Sequence, residues 1–221
     1  MKIRRMLCAL CALVALCALT PAASAEVFTV EQALHESLPA FRFSLNYAME
    51  NELFYTDALT ITRADDGGNV QQIVLATRAE TYDDETLGLV IEDMNFDGYL
   101  DMRLMQFISA GINIPYFCWL WDPAAQTFVY SEPLSAIASP SFDPETRLVY
   151  SSERDGASIY IENTYTYAQD GSLTLTARVT SAYDSDINIV IITTEELVDG
   201  QMQVTNRQEE PLQEDVEGDN G

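Results

Sequence analysis

Basic residues are scarce in this chain. It contains 11 Lys and Arg against 35 Asp and Glu, which gives a formal net charge of −24. Nucleic acids and anionic membrane surfaces are therefore poor partners, because their own negative charge would oppose binding. Cations and basic proteins would be attracted instead. A simpler alternative is that the acidic residues only keep the protein soluble.

The first residues have the order of a secretory signal peptide. A basic start, Met1 to Arg5, precedes an apolar run from Met6 to Leu19, and the small residues Ala23-Ser24-Ala25 follow. This pattern predicts a signal peptide over residues 1–25, with cleavage after Ala25. The apolar run is shorter than the ~20 residues of a membrane-spanning helix. We therefore expect no stable membrane anchor, and an exported protein that is extracellular, cell-surface or periplasmic.

Cleavage would leave few basic residues and a single cysteine. Residues 26–221 contain 8 Arg, no Lys and 35 acids, a formal charge of −27. Cys118 is the one cysteine in that part of the sequence, so an internal disulfide, on which many small secreted domains rely, is excluded there. A chain of this length can bury enough apolar surface without one.

Alternating apolar and polar residues predict strands through most of the chain. Phe41, Phe43, Leu45 and Tyr47 alternate with smaller or polar residues, the period of a half-buried strand. Turn sequences rich in Asp and Gly recur at short spacing, at 65–69, 122–123, 155–156, 170–171 and 199–200. About ten short strands joined by tight turns indicate an all-β, antiparallel, sandwich-like domain.

Two segments are predicted to lie outside this β pattern. Thr29-Val30-Glu31-Gln32 fits a helix capping box, which predicts one short N-terminal helix over Val30 to Ser37. Residues 208–221 contain six acids, no base and no apolar periodicity. They predict a disordered acidic tail over residues 207–221. Residues 27–206 then form a single β domain.

Residues 93–101 read D-x-N-x-D-G-x-x-D and are the strongest candidate for a site. Ca²⁺ binds about six to eight oxygens, and a short loop offers them at alternate positions. The predicted Ca²⁺ ligands are Asp93, Asn95, Asp97, the backbone carbonyl of Tyr99, and Asp101. Gly98 permits the sharp bend that such a loop requires. An Asp- and Gly-rich turn without any metal is the alternative.

The loop differs from an EF-hand in two respects. An EF-hand ends in a bidentate glutamate at its twelfth position, where this chain has Leu104. Strand-like residues, 87–91 and 102–107, flank the loop in place of helices. We therefore expect a Ca²⁺ loop inserted between two strands of a β fold.

The residues from Leu87 to Tyr167 resemble a known family. The resemblance lies in four segments, which are Glu92 to Leu104, Cys118 to Pro123, Thr127 to Val129, and Pro140 to Thr146. These segments are similar to those of exported bacterial β proteins with a single Ca²⁺ loop. The family's best-understood members resemble periplasmic type I lysozyme inhibitors in fold, and they act as immunity proteins against a lysozyme-like effector.

The resemblance implies a Ca²⁺-binding inhibitor of a lysozyme-like, cell-wall-degrading hydrolase. It assigns the Ca²⁺ ligands to the same loop, from Asp93 to Asp101. Type I inhibitors block the enzyme with a Ser-Gly-x-x-Tyr loop, whereas the nearest stretch here is Asp155 to Tyr160, which lacks that spacing. No inhibitory residues can therefore be assigned in this chain.

The sequence contains little that predicts catalysis. His35 is the only histidine and has no nucleophile motif beside it, so we interpret it as a surface or packing residue. Cys118 lies in the run Tyr116 to Trp121, whose two faces are both apolar. That run predicts a strand covered on both sides and a buried thiol, with an aromatic platform for sugars as the alternative. A glycosidase needs only two carboxylates. The 35 acidic residues supply many candidate pairs, and their spacing in the sequence selects none of them.

The leading hypothesis is therefore a secreted, non-catalytic, Ca²⁺-binding protein whose partner is a basic exported protein such as a lysozyme-like hydrolase. A structural or adhesive surface module is the second hypothesis. A carbohydrate-active enzyme is the third.

Overall fold

A computed structural model describes residues 26–211 and shows fourteen strands in three antiparallel sheets, with one short helix. Sheet A contains β1 (Glu26–Ala33), β2 (Ala40–Glu50), β3 (Leu53–Arg63) and β4 (Asn69–Thr81). Sheet B contains β5 (Leu89–Glu92), β6 (Asp101–Met105), β7 (Tyr116–Asp122) and β8 (Thr127–Tyr130). The predicted antiparallel, nearly all-β fold is confirmed.

Sheet C contains six strands in an order that follows the sequence. They are β9 (Ser141–Asp143), β10 (Leu148–Asp155), β11 (Ile159–Tyr167), β12 (Leu173–Asp184), β13 (Ile189–Val198) and β14 (Gln201–Pro211). The helix α1 (Glu132–Ser135) lies between β8 and β9, and the Ser131 hydroxyl caps it by accepting a hydrogen bond from the Leu134 N–H. No helix in residues 26–211 has the length and apolar character needed to span a bilayer.

Sheets A and B share the larger of two hydrophobic cores. The predicted alternation in β2 is confirmed, because Phe41, Phe43 and Leu45 are all buried there. Trp121 of β7 packs against the Phe41 ring from the opposite sheet, with ring centroids 5.2 Å apart. Phe128 of β8 closes this contact, 5.1 Å from Trp121.

A second, smaller core lies on the other side of sheet B. Its buried members come from β7, from the loop before β6, from the region of α1 and from β10: Met94, Phe96, Cys118, Leu134, Ile137 and Val149. Trp119 and Trp121 of β7 belong to the first core, while Cys118 belongs to the second. The prediction that this strand is covered on both faces is therefore confirmed.

The predicted N-terminal helix is wrong. Residues 26–33 form β1, in which every residue from Glu26 to Ala33 pairs with a residue of β2. Phe28 and Val30 both pack against the first core, which requires the two-residue period of a strand. Pairing with β2 therefore overrides the local capping-box signal. The helix that does form, α1, was not predicted.

The predicted boundary of the acidic tail is also wrong. Residues 207–211 belong to β14, where Arg207 pairs with Thr193 and Pro211 pairs with Ile189 of β13. Strand pairing uses backbone groups and does not depend on the charge of the side chains. The acidic composition therefore did not predict where the last strand ends. The rest of the predicted tail, 212–221, and the predicted signal peptide, 1–25, lie outside the described residues.

Candidate calcium loop

The candidate loop connects β5 to β6 at one end of sheet B. Its side chains alternate, so that Met94 and Phe96 are buried in the second core while Asp97 is exposed. Phe96 adopts a left-handed backbone conformation with φ of 61°, which is uncommon for a residue with a side chain. Its ring meets the ring of Tyr167 edge-on, with centroids 6.1 Å apart. The buried apolar residues therefore anchor the loop to the second core and leave Asp97 exposed.

Gly98 provides the bend that the sequence predicted. Its φ is 93°, in a region that residues with a side chain rarely adopt. A β-carbon placed there would meet no atom within 4 Å. Conformation, and not lack of space, is therefore the reason for glycine at this position.

Three of the predicted ligands are gathered around the backbone of the loop. The Asp97 N–H donates to Asp93 Oδ1 at 3.2 Å and to Asn95 Oδ1 at 3.0 Å. The Gly98 N–H donates to Asp93 Oδ2 at 2.9 Å, and the Tyr99 N–H donates to Asp97 Oδ1 at 2.9 Å. Asn95 Nδ2 lies 3.0 Å from Asp97 Oδ2. The folded backbone thus brings oxygens from all three side chains into one small region.

Asp101, the predicted closing ligand, has a structural function that the sequence did not reveal. Its side chain is fully buried, and Oδ2 accepts a 2.8 Å hydrogen bond from the Met94 N–H. Oδ1 accepts a second 2.8 Å bond from the Trp121 N–H in β7. Burial raises the pKa of Asp101 to about 7, an effect that these two N–H donors oppose and the nearby Asp97 and Asp93 charges reinforce. Asp101 therefore joins the loop to the middle of sheet B.

Each carboxylate oxygen of Asp101 keeps a second lone pair beyond the one that accepts from its backbone donor. The two hydrogen bonds therefore leave Asp101 able to bind Ca²⁺, and its function as a ligand stays a prediction. No group of three or more His, Cys, Asp or Glu side chains in residues 26–211 is arranged to hold a metal ion. A cation at this loop would therefore depend on the Asn95 amide oxygen and backbone carbonyls as well as on the carboxylates. Oxygen donors of this kind are those that Ca²⁺ prefers.

The loop is also attached to the connection between β1 and β2. The Leu100 N–H donates to the Leu34 carbonyl at 2.8 Å, and Leu34 is fully buried. The Tyr99 ring lies 4.6 Å from the His35 ring, centroid to centroid. These contacts give His35 a packing function, in agreement with its interpretation from the sequence. No sequence signal marked Leu34 or His35 as neighbours of the loop.

An open cleft of about 530 Å³ lies beside the polar face of the loop. Asn95, Asp97, Arg147 and Tyr167 are among the residues that line it. The Tyr167 hydroxyl is buried and has no hydrogen-bond partner within residues 26–211. Burial is the main reason that the pKa of Tyr167 is raised. The cleft gives solvent and ions a route to the loop.

Cys118 has the environment of an inert thiol. It is fully buried, and burial raises its pKa to about 12 despite the opposing influence of Arg103. A nucleophilic cysteine requires a lowered pKa and access to substrate. The interpretation of Cys118 as a buried apolar thiol agrees with this geometry.

Comparison with known proteins identifies no relatives. No protein-family model matches the chain, and neither a curated protein nor a solved structure is significantly similar to it. The family resemblance inferred from the loop and its neighbouring segments therefore stays a hypothesis.

Proposed function

We propose that this chain is an exported, Ca²⁺-stabilised, non-catalytic binding protein built on a sandwich-like antiparallel β domain. The observation that supports the proposal best is the loop between β5 and β6, which gathers Asp93, Asn95 and Asp97 around one set of backbone N–H groups. Asp93 and Asp97 repel each other in this arrangement, and a divalent cation would remove that repulsion. In this proposal the bound cation stabilises the fold.

Binding of Ca²⁺ at this loop would stabilise sheet B as a whole. Asp101 links the loop to β7 through the Trp121 N–H, and Leu100 links it to the buried Leu34. A cation that orders the loop therefore acts on residues of the first core. Ligand binding to the folded state alone adds about 2.7 kcal/mol when the free ligand exceeds its dissociation constant about 100-fold. In a domain of this size that corresponds to a rise in melting temperature of several degrees.

The test is a thermal melt of the purified protein in Ca²⁺ and in EDTA, repeated on Asp97→Ala. We expect the melting temperature of the wild type to rise by several degrees in Ca²⁺, and the rise to disappear in Asp97→Ala. The matched control is Asp170→Ala, because Asp170 also accepts a backbone bond in an exposed Asp-Gly turn, from the Ser172 N–H at 3.0 Å. Equal melting temperatures of the wild type in the two buffers would exclude a stabilising Ca²⁺ site.

The proposed partner is a basic exported protein, with a lysozyme-like hydrolase as the specific candidate. A charge of −27 in residues 26–221 would steer a cationic protein towards this surface, and steering of this kind weakens as salt increases. The assay is hydrolysis of cell walls by several lysozyme classes with the protein in excess, and we expect inhibition of at least one class. Binding should be faster at low salt than at physiological salt.

N-terminal sequencing of secreted material should give Glu26 as the first residue.

The structural or adhesive module is the second candidate, and the long edge strand β14 of sheet C favours it. Strand β14 pairs only with β13 and leaves its other edge unpaired within residues 26–211. An open edge can add a strand from another molecule. Absence of inhibition of every lysozyme class, together with absence of salt-dependent binding, would favour this candidate. Hydrolysis of a glycan by the protein alone would support an enzyme instead.

A further inference from the structure

Strands β12 and β13 of sheet C are only partly covered by the rest of the chain. No residue of β12, β13 or β14 is buried, although β13 begins with the continuous apolar run Ile189-Val190-Ile191-Ile192. Such runs are typical of strands that are covered on both faces. Only the beginning of β12, at Leu173, packs against the second core. The described chain therefore leaves these apolar residues of β13 partly exposed.

Strand register places four isoleucines together on one face. Residues that pair across antiparallel strands share a face, and the pairs Ile159–Ala182 and Ala182–Ile191 form a continuous row. Ile161 and Ile189 occupy the adjacent rows, opposite Thr180 and Asp184. We call this group the isoleucine patch: Ile159, Ile161, Ile189 and Ile191.

A buried polar network fixes the patch relative to the second core. Asn163 and Ser151 lie on the same face and are almost fully buried. The Asn163 amide donates to Ser151 Oγ at 3.0 Å and to Glu153 Oε1 at 2.9 Å, and its carbonyl accepts from Arg178 Nε at 2.8 Å. This network spans β10, β11 and β12, so the patch is a rigid extension of the core face.

Acidic residues border the patch. Asp155 and Glu209 stand at the two ends of the row that contains Ile159 and Ile191. In the adjacent rows Glu153 pairs with Ile161, and Asp184 pairs with Ile189. The one base at a row end in this part of the sheet is Arg207, 3.7 Å from the Glu209 carboxylate. An apolar centre with a charged rim is the usual composition of a protein–protein interface.

We infer that the isoleucine patch is a docking surface for a basic protein that presents aliphatic side chains between Lys or Arg residues. Charge decides against a second copy of this chain, because face-to-face association would bring like-charged rims together and oppose binding. It also decides against an anionic membrane. The inference rests on the proposed function in one respect, namely that the partner is basic, and it adds where that partner binds.

The test compares two neighbouring residues on opposite faces of β13. Ile191→Lys places a positive charge in the patch, whereas Ile192→Lys places the same charge on the other face, where Ile192 pairs with Ser181. Both variants of the full chain, expressed for export, are titrated with a synthetic peptide of alternating Leu and Lys and with basic lysozymes. We expect Ile191→Lys to weaken peptide binding about tenfold or more, and Ile192→Lys to change it less than threefold.

A second variant keeps the test valid if Ile191→Lys does not fold. Asp155→Asn combined with Glu209→Gln removes two rim charges and no apolar contact, so circular dichroism and the thermal melt should be unchanged. Association with the peptide should become about threefold slower at low salt. Equal effects of Ile191→Lys and Ile192→Lys, or no binding to either variant or to wild type, would overturn the docking surface. A dimer in sedimentation whose amide exchange is slowed at the patch would overturn it in favour of self-association.

The two probes separate this inference from the proposed function. If lysozymes do not bind while the peptide binds at the patch, the lysozyme hypothesis fails and the docking surface stands. If lysozymes bind equally well to Ile191→Lys and Ile192→Lys, the docking surface fails and the hypothesis of a basic exported partner stands.

Discussion

Strands β7 and β13 share an apolar sequence pattern but differ in how deeply their residues are buried. Both carry apolar residues on both faces. In β7 the alternate residues enter two different cores, with Trp121 in the first and Cys118 in the second. In β13 no residue is buried. Apolar residues on both faces therefore predict that a strand packs against other surfaces. They do not predict whether those surfaces belong to the same chain.

The difference between the two strands should be largest in their contribution to stability. Trp121→Ala removes ring contacts with Phe41 and Phe128 in the first core. It should cost about 3–5 kcal/mol in the free energy of unfolding. Ile191→Ala removes atoms that are already partly in water, and it should cost about 1 kcal/mol or less. Urea denaturation monitored by far-UV circular dichroism measures both values, and equal costs would contradict the comparison.

An intermediate loss in the free energy of unfolding is expected at Asn163, which lies between the second core and the outer strands of sheet C. Asn163 is almost fully buried and bonds to Ser151, Glu153 and Arg178. Asn163→Ala leaves buried polar groups without partners, which should cost about 1–3 kcal/mol. The control is Asn206→Ala on β14, an exposed residue whose replacement should change stability by about 0.5 kcal/mol or less. A similar cost in both variants would mean that the network does not join the outer strands to the core.

The strands of both regions could largely be predicted from the sequence. The turns at 170–171 and 199–200 lie between strands, that at 65–69 ends at the first residue of a strand, and those at 122–123 and 155–156 begin at the last residue of a strand. Asp and Gly favour the backbone conformations that tight turns require. Local signals failed where pairing decided the outcome. Pairing with β2 overrode the capping box at Thr29, and pairing with β13 placed residues 207–211 in a strand.

The candidate site was only partly predictable for a related reason. The spacing of Asp93, Asn95 and Asp97 identified a loop in which backbone N–H groups gather these side chains. The hydrogen bond from the Trp121 N–H to Asp101 joins residues far apart in the sequence, and so does the contact between Tyr99 and His35. Such contacts depend on how sheets A and B pack, which no local pattern encodes.

The last comparison measures the reactivity of two thiols and not the free energy of unfolding. The labelling rate of Cys118 reports whether β7 is buried. Burial raises the pKa of its thiol to about 12, and only the thiolate reacts. The matched probe is Thr193→Cys in β13, combined with the apolar replacement Cys118→Ala, since Thr193 is half-exposed on the face that carries the isoleucine patch. At pH 8 in native buffer a thiol-specific reagent should label the engineered Cys rapidly and wild-type Cys118 only as the protein unfolds. Urea should therefore accelerate labelling of Cys118 strongly and labelling of the β13 thiol little. Rapid native labelling of Cys118 would show that β7 is exposed in solution, and slow labelling of the β13 thiol would show that another surface already covers this part of sheet C.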